Sequence, residues 1–448
     1  MTYADACAWL FSLERRGVRL GLDRIVGALR EHGDPQLTFP SVLIGGTNGK
    51  GSTSAIVASC LQAAGRRTGL FTSPHLIDFR ERIRIDGRMI PEGDVVALAG
   101  AIRPTVDRWE LSFFEATTLL AFLWFRERGV DAAAVEVGLG GRLDASRPVR
   151  ALVTVVTTID LDHVKILGET RGAIAGEKAG IFRAGAPAVV SVRHSDALAV
   201  LDARARLIGI PIYERRRCLR VSDIALTPRG SRFLVQARPG QPGPREPLEI
   251  DLALAGAHQV SNAATAILAL SLLPAEMGID ARAIRAGAAR ARWPGRAEVV
   301  RQDPLVICDV GHNPEGAESL SRLLAQLLVR RATAMRAVVG MVEGKDHTAF
   351  LRALAPRLTF VHACTPPTDR AVSAEALAEI CGTVGLPASA HASPAEAFDA
   401  AEQARTDREG ILVTGSFYTV GPVFERLGIG PRDPLWNGAA AGNDPAEG

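Results

Sequence analysis

Short apolar runs alternate with longer stretches of helical period along most of this chain, and that alternation predicts its fold. Runs at 41–45, 67–71, 131–137, 151–158 and 187–192 read as buried parallel strands. Helical stretches separate them at 50–64, 92–107, 113–128, 169–183 and 195–208. This is the pattern of a doubly wound α/β sheet, whose ligands bind at the carboxyl ends of the strands. From 211 to about 254 the helical period is lost, and Arg, Pro and Gly punctuate short alternating runs. That stretch predicts an antiparallel excursion of two hairpins, with a loop at Pro239–Pro244. Helices at 258–273 and 280–291 follow.

Trp293-Pro294-Gly295-Arg296 sets a proline beside a glycine and breaks the pattern, so a domain boundary is placed just before it. Alternation then restarts, with strands at 305–309, 336–342, 358–363 and 410–414 and helices near 315–329, 346–355, 373–384 and 394–405. The expected fold class is α/β: an N-terminal P-loop doubly wound ATPase domain over 1–292 and a smaller C-terminal Rossmann-like domain over 293–430. The tail 431–448, with Gly438-Ala439-Ala440-Ala441-Gly442-Asn443-Asp444-Pro445, is expected to be disordered.

Composition narrows the class. The 448 residues are 47% apolar and 23% charged, with a net charge of +3, which gives no nucleic-acid surface and suits a soluble protein. Cysteines 7, 60, 218, 308, 364 and 381 are scattered, so neither a disulfide framework nor a zinc site is expected. The N-terminus lacks the layout of a signal peptide, and no apolar helix is long enough to span a bilayer. A cytoplasmic monomer with reduced thiols is the expectation.

The chemistry concentrates at strand ends. Gly46-Thr47-Asn48-Gly49-Lys50-Gly51-Ser52 lies between an apolar strand and a helix. Such a turn aims backbone N–H groups at one spot, the helix N-terminus adds positive potential, and Lys50 can reach the outer phosphates of a nucleotide. The strict P-loop spacing is not met: Ile44 stands at its first glycine position, and Gly51 follows the lysine. Ser73, Glu136 and His163 close neighbouring strands on the same edge. A hydroxyl, a carboxylate and an imidazole placed there could hold Mg²⁺ beside a triphosphate. Lys178, in Glu177-Lys178-Ala179-Gly180-Ile181, reads by itself as the neighbour of a surface carboxylate. Asp309-Val310-Gly311-His312-Asn313-Pro314 ends the first strand of the second block and opens its helix, so that block also faces the site.

These motifs resemble the folylpolyglutamate synthase/dihydrofolate synthase family of Mur-type ATP-dependent amide ligases. The resemblance runs from about Leu20 to Pro422. It includes Gly21-Leu22-Asp23-Arg24-Ile25, the glycine loop, Ser73-Pro74-His75-Leu76, Phe113-Phe114-Glu115-Ala116-Thr117 and Glu136 to Asp144. Further on it takes in Asp162-His163, Glu177 to Ile181, His258-Gln259 with Asn262, Trp293 to Arg296, Asp309 to Pro314, and Thr414 to Tyr418. It implies ATP on Gly49, Lys50, Gly51, Ser52, Asn262, Arg296 and Asp309. It implies two Mg²⁺ on Ser73, Glu136, His163 and a carbamylated Lys178, and a pterin substrate on Gly21, Leu22, Asp23, Ser112, Leu143 and Asp144. Lys50, Lys178 and His312 are the side chains expected to act in the reaction. Ser146-Arg147 replaces the family's usual Thr-Asn and brings a cation to the pterin side.

The implied activity adds L-glutamate to dihydropteroate, to reduced folates, or to both, through an acyl phosphate. The alternatives are a Mur-type cell-wall amino-acid ligase, whose additional N-terminal domain has little room in the forty or so residues before the loop, and a P-loop regulatory NTPase.

Overall fold

The computed structural model describes residues 1–17, 21–327 and 334–436. Its largest sheet has eight strands: β1 (Pro40–Gly45), β2 (Thr68–Phe71), β3 (Ile83–Ile85), β4 (Arg88–Met89), β5 (Ala132–Glu136), β6 (Arg150–Val156), β7 (Ala188–Val190) and β8 (Ile212–Glu214). Their order is β4-β3-β2-β5-β1-β6-β7-β8, parallel from β2 to β8 and antiparallel at β3 and β4. Strands buried on both faces must be apolar throughout, which is why the runs around β1 and β5 carry so strong a signal.

One face of this sheet packs on the helix Lys50–Ala63, buried without interruption from Gly51 to Leu61. The helices Ala257–Leu270 and Ala281–Arg290 cover it. A Cβ at Gly287 would lie 2.5 Å from the Cys60 Cα, so the helices approach this closely only because glycine stands there. Ser59 Oγ uses the approach to donate to Gly287 O at 2.8 Å.

The excursion is a three-stranded antiparallel sheet of β9 (Leu219–Thr227), β10 (Gly230–Ala237) and β11 (Leu248–Leu252). Two hairpins share β10, as the alternating runs predict, but β8, inside the predicted excursion, extends the large sheet instead. The third sheet contains β12 (Glu298–Gln302), β13 (Leu305–Asp309), β14 (Ala334–Val339), β15 (Leu358–Cys364), β16 (Ala388–His391) and β17 (Glu409–Thr414). Its order is β12-β13-β17-β14-β15-β16, with only β12 antiparallel. The edge strands β12 and β16 are half-exposed and mixed in polarity, so no apolar run announces them.

The disorder expected from Pro431 onwards is corrected over 431–436. The backbone there is irregular, but Leu435 and Trp436 are buried in the core of the large sheet. Arg84 Nη1 donates to Arg432 O at 2.8 Å, Met89 N to Asp433 Oδ1 at 2.9 Å, and Trp436 Nε1 to Gln62 Oε1. Two anchoring side chains supply order that composition could not reveal. The rest of the tail, Leu20, and the end of the helix predicted at 315–329 lie outside the described residues. Among the described residues no helix is long and apolar enough to cross a membrane, and all six cysteines are free.

Candidate active site

The glycine loop leaves the carboxyl end of β1 and enters the helix Lys50–Ala63, forming part of the wall of a cleft of about 370 Å³. Gly49 has φ +86°, and a Cβ there would lie 2.4 Å from Asn262 Oδ1, so both backbone and space require glycine. Thr47 N donates to Thr158 O at 2.7 Å and Asn48 N to Thr158 Oγ1 at 3.0 Å, tying the loop to the chain beyond β6. Lys50 Nζ lies back over its own loop, donating to Thr47 O at 3.1 Å. With the helix N-terminus, this makes a cradle for an anion.

Glu136 is the last residue of β5, paired with Ile44 of β1, and is 4% exposed. Burial pushes its carboxyl up to about 7, against the pull of Lys50, Arg296 and Arg82. Ser73 N donates to its Oε2 at 3.2 Å. A carboxylate has about four acceptor positions, so Glu136 retains capacity for a cation.

Lys178 overturns the surface reading: it is 4% exposed at the end of the helix Arg171–Lys178, and its Nζ donates to Gly46 O at 2.8 Å. Burial, followed by the charge of Lys50, lowers its amine to about 7. Glu177 pairs instead with Arg142, at 2.8 Å. The His163 side chain is 43% exposed, yet crowding around the ring, with Lys345 and Lys50 nearby, lowers it to about 4 against the pull of Asp162. It is therefore a neutral imidazole, the form that ligates metal.

The third sheet supplies the opposite side of the cleft. Arg296 is half-buried and stacks 5.0 Å from the Phe417 ring centre, while Asp309 accepts from Ala297 N at 2.8 Å and Gly311 N at 2.7 Å. On the loop side Asn262 Nδ2 donates to Gln259 Oε1 at 3.0 Å, and on the third-sheet side His312 Nδ1 lies 3.1 Å from Val310 O. A polar seam crosses between the two sides. Asn48 Nδ2 donates to Asn313 Oδ1 at 3.1 Å and to Glu315 Oε2 at 2.6 Å, and Asn313 Nδ2 donates to Asp162 Oδ2 at 3.3 Å. Asp162 also pairs with Lys345 and lies 3.7 Å from His312 Nε2. Burial alone would raise Asp162; His312, Lys345 and His163 hold it well below the usual carboxylate range.

Gly49, Lys50, Gly51, Ser52, Ser73, Glu136, His163, Lys178, Asn262, Arg296, Asp309 and His312 all line this one cleft. The six pterin candidates do not. Gly21, Leu22 and Asp23 open the helix Asp23–Glu31, and Arg24 Nε lies 3.3 Å from Glu115 Oε1, which brings that turn to Ser112. Ser112 caps the helix Phe113–Glu127, its Oγ donating to Glu115 Oε2 at 2.7 Å. Asp144 is buried and organises its own loop, accepting from Leu139 N and Ser146 N, both at 2.9 Å. Leu143 is half-buried beside it. Arg147 is held by Gly180 O, to which its Nε donates at 2.7 Å.

Residues 44–270 match the Mur ligase middle domain and 295–417 the Mur ligase, glutamate ligase domain. A dihydrofolate synthase/folylpolyglutamate synthase of Bacillus subtilis is 33% identical over 434 residues, covering 95% of this chain and 99% of that protein. This chain belongs to the folylpolyglutamate synthase/dihydrofolate synthase family. Among solved structures, the Mycobacterium tuberculosis folylpolyglutamate synthase complexed with ADP superposes with a TM-score of 0.88 at 32% identity, covering 96% of this chain and 100% of that one. The bifunctional folylpolyglutamate synthase/dihydrofolate synthase of Yersinia pestis, complexed with AMPPNP and a Mn ion, gives 0.80 at 34% identity, covering 96% and 98%.

Sequence reasoning missed the seam. Lys345 and Glu315 follow the carboxyl ends of β14 and β13, where the strand-end rule applied to Asp309 would have found them. Their partners Asp162, Thr158 and Asn48 are far away in sequence, and no local pattern joins them.

Proposed function

We propose that this chain is an ATP-dependent ligase that adds L-glutamate to dihydropteroate and to reduced folates. The observation that carries this reading is the convergence of Lys50, Glu136 and Lys178 in one cleft between the two large sheets, in a chain of this family. In this reading the domain units are 1–292, which holds ATP, and 293–430, which closes over it.

The substrate carboxylate oxygen attacks the γ-phosphorus of ATP, forming an acyl phosphate and releasing ADP. The glutamate amine then attacks the acyl carbon, phosphate leaves, and the amine loses its proton as the amide forms. Two anions must meet in the first step, and Lys50 with the loop amides offsets their repulsion. Asn262, Arg296 and Asp309 lie where they can hold the rest of the nucleotide. The seam from Asn48 to Asn313 and Glu315 keeps water from the acyl phosphate.

Ser73, Glu136, His163 and Lys178 would hold two Mg²⁺, which supply charge neutralisation at the triphosphate. The family resemblance implies a carbamate on Lys178, and that is part of this reading. An amine lowered to about 7 is substantially unprotonated at neutral pH; its nitrogen bonds to the carbon of CO₂, loses a proton and becomes an anion.

The test is ADP release by the purified enzyme with dihydropteroate plus glutamate, with a reduced folate plus glutamate, and with neither. Release that requires an acceptor and glutamate supports the ligase. Equal release without them would establish an NTPase. Product from one acceptor alone would remove the other half of the dual activity.

A further inference from the structure

Arg82 is a buried cation that, among the described residues, no carboxylate neutralises. It ends the short turn Phe79–Arg82 and is 7% exposed. Its Nε donates to His75 Nδ1 at 2.8 Å, and its guanidinium carbon lies 5.0 Å from the ring centre of Phe113. Phe11 packs 5.5 Å from Phe113 and 5.9 Å from His75, centroid to centroid. His75 cannot neutralise it, because an imidazole accepting on Nδ1 is a neutral ring with no negative charge to offer.

The nearby acids are otherwise engaged or too far away. Glu81 accepts from Leu76 N, Ile77 N and Asp78 N, all at about 3.0 Å. Glu14, Glu136 and the Tyr418 hydroxyl are felt through space, but among the described residues none forms an ion pair or hydrogen bond with the guanidinium. Burying an uncompensated guanidinium is costly, so an anion brought by a ligand is the partner this position lacks.

Its place in the fold says which anion. Arg82 O accepts from Thr72 N at 3.0 Å, one residue before Ser73 of the cleft, while its guanidinium stacks on Phe113, one residue after Ser112 of the pterin wall. These two contacts tie it to both walls, and the carboxylate to be activated must lie between them if a pterin occupies one and the triphosphate the other. We propose that Arg82 binds the carboxylate of the acyl substrate, the group that becomes the acyl phosphate. This rests on the ligase reading above. One carboxylate oxygen is held by the guanidinium while the other attacks phosphorus.

The test is titration of dihydropteroate, and of its analogue lacking only the benzoate carboxyl, into the full chain with a non-hydrolysable ATP analogue. Wild type, Arg82→Gln and Arg82→Lys are compared, with folding checked by circular dichroism. Wild type should prefer the carboxylate by about a hundredfold, the scale of a buried charge-assisted contact. Arg82→Gln should lose most of that preference while binding the decarboxylated analogue and the nucleotide as wild type does. Arg82→Lys, a point charge in place of a fork, should keep about a tenth of it. In kinetics, the KM for dihydropteroate should rise while that for ATP stays fixed. A folded Arg82→Gln that keeps the full preference overturns the proposal. Should that variant fail to fold, an unchanged preference in Arg82→Lys does so. A wild type that binds nucleotide but neither pterin compound removes dihydropteroate as an acceptor, leaving the folate half of the ligase reading, and overturns this proposal.

Discussion

The two walls of the site region are built by opposite means. On the phosphate-loop wall, ionisable groups are buried with capacity to spare: Glu136 accepts one backbone amide, and Lys178 donates to one carbonyl. On the side that carries the pterin candidates, the polar groups are engaged by protein partners, with Glu115 also reaching Arg24 of a neighbouring turn. Ser112 and Glu115 cap a helix, and Asp144 ties Leu139 to Ser146. The first wall offers charge to a ligand, and the second offers shape and backbone. A side chain's place in a family motif therefore does not say whether the side chain itself meets the substrate.

Substitutions can break that contrast, and the largest effect is expected at Lys50. Lys50→Ala should cut ligation by roughly a hundredfold or more, on the order of 3 kcal/mol of transition-state stabilisation. A folded mutant with near-normal ADP release would remove the nucleotide site from this wall. Lys178→Ala should be nearly as damaging and, if a carbamate is what is lost, partly restored by a short carboxylic acid.

The same lysine gives a pH signature. Its amine lies near 7 when folded against 10.5 ordinarily, so the unfolded chain binds more protons between those values. Stability should therefore rise with pH from about 7 towards 10.5, with the penalty fully present below 7. Thermal melts in buffer free of metal and bicarbonate should show this slope, and Lys178→Met should flatten it; equal slopes would mean that the buried amine does not titrate in that range.

Glu136→Gln and His163→Ala should raise the Mg²⁺ needed for half-maximal rate by at least about tenfold, a loss already typical of groups one step from a metal. Unchanged Mg²⁺ curves would make both residues structural. The smallest effect sharpens the other wall: Asp144→Asn should cost about 1–3 kcal/mol of stability through its loop hydrogen bonds, leaving Mg²⁺ dependence as in wild type. A shifted Mg²⁺ curve for Asp144→Asn would show that the walls are not separate.

What the sequence made legible follows the same division. β1, the glycine loop and its helix are continuous in the chain, and the apolar run, the glycines and Lys50 announce them together. Glu136 was legible because it ends a fully buried strand. The burial of Lys178 was not, because its partner Gly46 lies 132 positions away. The Asp162–Lys345 pair spans 183 positions, and β12 and β16 are too short and mixed in polarity to show a period. Composition misled at 431–436, where two apolar side chains outweigh prolines and charges.

That last segment changes what kind of joint holds the two large sheets. The chain crosses from one to the other at Trp293–Arg296 and returns at Arg432–Trp436, and Trp293, Pro294, Arg296 and Leu435 line the same small cavity. Two crossings side by side resist twisting, whereas a single strand would swivel freely. A cut in the first crossing would therefore leave two fragments still fastened by Trp436 in the core of its neighbour, so the halves of a nicked chain should travel together until that indole is removed.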